Sequence, residues 1–122
     1  MTADDRRRTR TRLGLEVPKV FISGPYKSNP VRGVQEAIKA ATQLRRNGFL
    51  PFVPHLTMLW DLVSPMPEIY YLEMDLEWLA DCDAVLRLGG ESAGADTEVA
   101  LARELGISVF HSIDELLEWA PQ

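Results

Sequence analysis

Short apolar runs alternate along this chain with segments whose apolar residues recur at helical spacing. That alternation leaves few folds open. Residues 17–23, 49–53, 84–88 and 107–110 read as buried strands. Residues 31–47, 68–80 and 95–105 carry helical spacing, with Gly48 and Gly106 placed where helices commonly stop. Ser112 and Glu115 form a capping box for a last helix reaching about Ala120. Residues 55–67 fit a short helix followed by a loop set by Pro65 and Pro67. Strands that alternate with helices predict a parallel α/β sheet of four to five strands, covered on both faces. Ligands of such sheets bind beyond the carboxyl ends of the strands. Two loops lie there, 23–30 and 89–95, and they hold the small and polar residues.

A length of 122 residues suits one domain. With 46% hydrophobic and 25% charged residues, the chain has the makings of an ordinary globular core rather than of a low-complexity segment. No run of about 18 apolar residues occurs, so no membrane span is expected. The N-terminus lacks the apolar stretch of a secretory signal, so the expected compartment is the cytoplasm. A single cysteine, Cys82, excludes an internal disulfide and a cysteine zinc cage, and two histidines make a poor metal site. The net charge of −5 conceals a split. Residues 1–12 hold five arginines against two aspartates, whereas residues 13–122 hold eight basic against sixteen acidic residues. An acidic body argues against stable nucleic-acid binding. Residues 1–17 read as a flexible basic leader, able to touch a polyanion but more simply an unordered charged terminus, and 18–122 as the domain.

Two carboxylates fall on faces that should be apolar. On the helix at 95–105, Val99, Leu101, Ala102 and Leu105 gather on one side, and Glu98 lies in their midst. On the helix at 68–80, Tyr71, Leu72, Trp78 and Leu79 make the apolar arc, and Asp75 sits inside it. Unpaired buried carboxylates are costly. Either alone admits a structural reading: Glu98 paired with a core arginine or capping a neighbouring helix, Asp75 bonded to the N–H groups of a loop. Both together, beside one sheet edge, point to a shared site with a perturbed environment. Glu98 stands near its helix N-terminus, where the dipole helps keep it ionised. An ionised, partly desolvated carboxylate with a second carboxyl nearby is the equipment of retaining glycoside chemistry.

The loop Ser23-Gly24-Pro25-Tyr26-Lys27-Ser28-Asn29-Pro30 brings a cation and hydroxyls to a helix N-terminus, which suits an anion. It has neither Walker nor Rossmann spacing. Ser92 and Gly94 precede the helix bearing Glu98. Turn chemistry alone also accounts for both loops. His55, after Pro54, is a candidate to contact a base or to cap a loop. Trp60, Tyr70 and Trp78, with Met58, Met66 and Met74, read as core or interface residues.

Three stretches carry a resemblance. Val20-Phe21-Ile22-Ser23-Gly24-Pro25-Tyr26, the segment from Asp75 to Val85, and Ser92-Ala93-Gly94-Ala95-Asp96-Thr97-Glu98-Val99 followed by Gly106-Ile107-Ser108-Val109 resemble the nucleoside 2-deoxyribosyltransferase superfamily, in its order, over about residues 18–111. The resemblance implies a flavodoxin/Rossmann-like sheet, no metal or organic cofactor, and a homodimer or larger homo-oligomer. It implies Glu98 as nucleophile toward C1′ of a (deoxy)nucleoside or nucleotide, and Asp75 as the carboxylate assisting the leaving base. Ser92, six residues before the nucleophile, resembles the serine of family hydrolases acting on 5′-monophosphates, where Lys27 and Ser28 would add to a phosphate site. The expected reaction is therefore release of free base from (deoxy)nucleoside 5′-monophosphates. The alternatives are a 2-deoxyribosyltransferase and a nucleotide-binding sensor without catalysis. Family members often carry a first-strand tyrosine that bonds the nucleophile. Phe21 stands near that place, and Tyr26 is the candidate to replace it. The expected substrate contacts are Ser23, Gly24, Tyr26, Lys27, Ser28, His55, Ser92 and Gly94.

Overall fold

The computed structural model describes residues 1–14 and 17–120. Four strands, β1 (Lys19–Ser23), β2 (Leu50–Phe52), β3 (Ala84–Arg87) and β4 (Ser108–Phe110), form one parallel sheet in the order β2-β1-β3-β4. The chain steps from β1 outward to β2, then returns to the other side of β1 as β3. The strand order therefore reverses at the β1–β3 crevice, where parallel sheets of this kind open to ligands. Ser23 and Arg87 are register partners at the carboxyl end of that crevice.

Period-two alternation sends the strand side chains to two cores. Val20, Ile22, Ala84 and Leu86 pack with Ala37, Ala40 and Leu44 of α2 (Pro30–Arg46) and Leu116 of α6 (Ile113–Trp119). Phe21 and Val85 pack oppositely, with Leu79 of α4 (Glu68–Ala80) and Ala102 of α5 (Ala93–Glu104). Both faces of β1 and β3 are thus buried, which is why their sequences read as unbroken apolar runs. The α4 and α5 helices lie on the same face, so the two misplaced carboxylates come to one side of the sheet.

One segment differs from expectation, and a second gains detail. Within the leader, Ala3–Arg12 is a helix, α1. Thr2 and Asp5 cap it reciprocally: the Asp5 N–H donates to Thr2 Oγ1 at 3.1 Å and the Thr2 N–H to Asp5 Oδ2 at 3.0 Å. Those bonds hold the Asp5 carboxyl below its ordinary pKa. Acidic residues in the first turn and arginines in the last complement the helix dipole. Residues 15 and 16 of the expected leader, and 121 and 122 of the expected domain, lie outside the described residues. Residues 55–67 resolve into a 3-10 turn at Pro54–Leu56, the helix α3 (Thr57–Val63) and a connection to α4. No helix among the described residues is long and apolar enough to cross a membrane.

Candidate active site

The local start of α5 decides where Glu98 points. Ser92, in extended conformation, caps the helix by accepting a hydrogen bond from the Ala95 N–H at 3.1 Å. The helix therefore begins at Ala93, two residues earlier than its periodicity suggests, and Gly94 lies in its first turn. One and a half turns on, Glu98 faces the sheet and is 6% exposed. There it meets Ser23, the last residue of β1, which is fully buried and whose hydroxyl donates to Glu98 Oε1 at 2.7 Å.

Glu98 and Asp75 border one cavity of about 850 Å³, roofed by the loops 23–30 and 89–95 and walled by α3, α4 and α5. Burial pushes the Glu98 carboxyl up to about 7, against the opposing pull of the Ser23 hydrogen bond and the nearby Arg87 charge. Burial also lifts Asp75 to about 7, and the charge of Glu98 adds to that rise. Desolvation thus outweighs the helix dipole that was expected to keep Glu98 ionised. Near neutral pH the pair holds about one proton between two carboxyl groups, leaving one of them an acid and the other a base or nucleophile. Among the described residues no cation forms a salt bridge with Glu98. Arg87 pairs with Asp96 at 3.6 Å and donates to the carbonyls of Leu88 and Gly90 instead.

Of the expected contacts, Gly24, Tyr26, Lys27, Ser28, His55, Ser92 and Gly94 all line this cavity. Ser23 does not: it stands behind Glu98, its hydroxyl already engaged. The hydroxyl on Glu98 comes from Ser23 and not from Tyr26, which stands edge-on to His55 with ring centroids 6.3 Å apart. Phe21 stacks on Phe52 and belongs to the core. His55 is 5% exposed, and its Nε2 lies 3.2 Å from the Gly24 carbonyl. Burial lowers its pKa, so the ring is neutral, Nε2–H donates, and Nδ1 is an acceptor with no partner. Lys27 is exposed and ion-paired with Glu68 at the head of α4. Ser92 is both cap and cavity wall.

The two loops are locked together by close approach. A Cβ on Gly33 would fall 2.5 Å from the Pro25 carbonyl oxygen, and one on Gly90, whose φ is +111°, would fall 2.7 Å from Pro25 Cγ. Sequence reasoning missed Thr57, Asp61, Glu68 and Tyr71, which supply another wall. Thr57 and Asp61 sit in the expected short helix of residues 55–67, in which neither was singled out. Tyr71 was taken for an apolar-arc residue, yet its hydroxyl is shut off from solvent without a hydrogen-bond partner. Burial, with the neighbouring Asp61 charge, raises its pKa. Among the described residues no cluster of three histidines, cysteines or acids could hold a metal ion.

The same fold is found in a 2-deoxyribosyltransferase from Bacillus psychrosaccharolyticus, at TM-score 0.59 and 21% identity, over 75% of this chain and 69% of that one. It recurs in a 2-deoxyribosyltransferase from Leishmania mexicana at TM-score 0.60 and 16% identity. There the match covers 76% of this chain and 62% of the Leishmania protein, so this chain spans less than two thirds of its length. No curated protein matches the sequence. Residues 18–112, which comprise the sheet, both loops and both carboxylates, match the family described as Domain of unknown function (DUF7768), and the chain belongs to that family.

Proposed function

We propose that the protein cleaves the N-glycosidic bond of (deoxy)nucleoside 5′-monophosphates through a glycosyl-enzyme intermediate. The observation that carries this reading is the Glu98–Asp75 pair: two carboxyls facing one cavity, both raised to about 7, one of them gripped by a buried hydroxyl. Glu98 as carboxylate attacks C1′. The C1′–N bond breaks, and the base leaves with the electron pair and takes the proton of Asp75. Water then attacks C1′, Asp75 recovers a proton from it, and Glu98 is released. The free N–H groups at the start of α5, beside Ser92 and Gly94, suit a 5′-phosphate, with Lys27 and Ser28 at the rim. Gly24, Tyr26 and His55 then line the space for the sugar and base. The resemblance further implies a homo-oligomer working without a cofactor, and the cytoplasm is proposed as its compartment.

A second reading, transfer of the deoxyribosyl group to another base, is favoured by the likeness of fold to two 2-deoxyribosyltransferases. Chromatography of free base distinguishes the two. Nucleosides and 5′-monophosphates are incubated with and without a second base, using wild type and Glu98→Gln. Base released from a monophosphate by wild type alone is the expected result. Exchange that needs the second base replaces hydrolysis with transfer. Absence of turnover with every substrate removes the proposal.

A further inference from the structure

The α3 helix turns its polar side inward. Leu59, Leu62 and Val63 face solvent, while Thr57 and Asp61, one turn apart, line the cavity. Asp61 is half-buried there. Among the described residues no cation and no hydrogen bond of normal geometry reaches its carboxylate. Tyr26 and Tyr71 border the same cavity. Burial raises the pKa of both phenols, and Asp61 adds to each rise, so the carboxylate stands close to both rings.

Several donors of the lining are already engaged. The Thr57 hydroxyl donates to the Pro54 carbonyl at 2.8 Å, and the Thr97 hydroxyl to that of Ala93 at 3.1 Å. The Nε2–H of His55 goes to Gly24, and Lys27 is paired with Glu68. The open positions are acceptors: the Asp61 carboxylate, and Nδ1 of the His55 ring, which is 5% exposed. A ligand that completes this wall must bring N–H groups to it.

Given the nucleotide-cleaving reading above, on which this rests, we propose that Asp61 selects the base of the substrate, taking one with an exocyclic amino group, adenine or cytosine, over its oxo counterpart, hypoxanthine or uracil. Tyr71 precedes Asp75 by four residues, so the two share a face of α4 and stand about 6 Å apart along its axis. Asp61, beside Tyr71, thus lies a base's length from the carboxyl that protonates the leaving base. An amino group at the far edge of the ring donates to the Asp61 carboxylate in a charge-assisted bond. An oxo group in its place sets one acceptor against another and leaves Asp61 desolvated and unpaired.

The test is titration calorimetry on Glu98→Gln, which holds its ligand uncleaved, with dAMP against dIMP and dCMP against dUMP. The four nucleosides are run beside them, so that a site refusing the phosphate still reports on the base. For whichever base size the cavity admits, the amino member should bind about tenfold more tightly or better. Asp61→Asn, added to Glu98→Gln, offers an amide N–H as well as an oxygen and should bring the ratio to about threefold or less. Asp61→Ala takes its place if far-UV circular dichroism shows that the Asn variant does not fold. Equal affinities within each pair overturn the proposal, as do tighter binding of the oxo member, a ratio that survives in a folded Asp61 variant, and failure of every ligand to bind. An amino preference that Asp61→Asn abolishes, in a protein whose wild type releases no base, upholds the selection and removes the cleavage.

Discussion

Glu98 is useful to the proposed reaction as an anion, and Asp75 as an acid. Each ordinarily ionises near 4, and each is raised to about 7 here. Below that value both are protonated and the nucleophile is lost; above it both are ionised and the acid is lost. A bell-shaped profile of kcat/KM centred near pH 7 is therefore expected in an initial-rate series. Glu98→Gln keeps the shape and the Ser23 contact but removes the nucleophile, and base release should fall by about a thousandfold or more. Ser23 does not line the cavity and bonds Glu98, so in the proposed reaction its part is that of a positioning residue. Its hydrogen bond lowers the Glu98 pKa. Ser23→Ala should cut kcat/KM about tenfold and move the acid limb of the profile to higher pH, with Ser23→Thr restoring part of both. A merely structural serine would leave the limb where it is. Both carboxylates were legible in the sequence because a charge on an apolar helical face breaks the pattern. The buried hydroxyl was not, since a serine at a strand end has the same sequence signature whether it faces ligand or another side chain.

The elements hold the site through their ends. Ser92 fixes the start of α5, and Gly33 lets the first turn of α2 come within touching distance of Pro25. Gly33→Ala would set a methyl group 2.5 Å from a backbone oxygen, which no side-chain rotation relieves. It should lower the melting temperature and displace the loop 23–30, raising KM more than it lowers kcat. Ser92→Ala removes the cap and should cost about 1 kcal/mol in urea unfolding. The α4 helix is observed over the span its periodicity predicts, because its apolar arc keeps helical spacing from end to end and Pro67 stands directly before its first residue. The short helix at 57–63 was readable as a helix, but the way it faces was not, and the reason is physical. Its apolar side points outward and its polar side inward, so the usual inference from apolar spacing to core-facing surface fails there.

At the scale of the molecule, the raised carboxyls make stability depend on pH. Both bind protons more tightly folded than unfolded, so their contribution is fully present below about pH 4 and is lost as the pH rises through about 7. Between those limits wild type should become less stable on alkalinisation. At pH 8, Glu98→Gln should be more stable than wild type by about 1–3 kcal/mol in urea denaturation, an inactive protein with a firmer fold. The parallel α/β architecture, the two cores and the pair of out-of-place acids were determined by the sequence, because apolar period and helix caps are local properties of neighbouring residues. Only the tertiary structure decided that the first-strand hydroxyl belongs to Glu98 and that Lys27 is held by Glu68. It also decided that α3 turns its apolar side to solvent. Those are contacts between residues far apart in the chain, and no periodicity records which of several polar groups at one sheet edge will meet when the strands close.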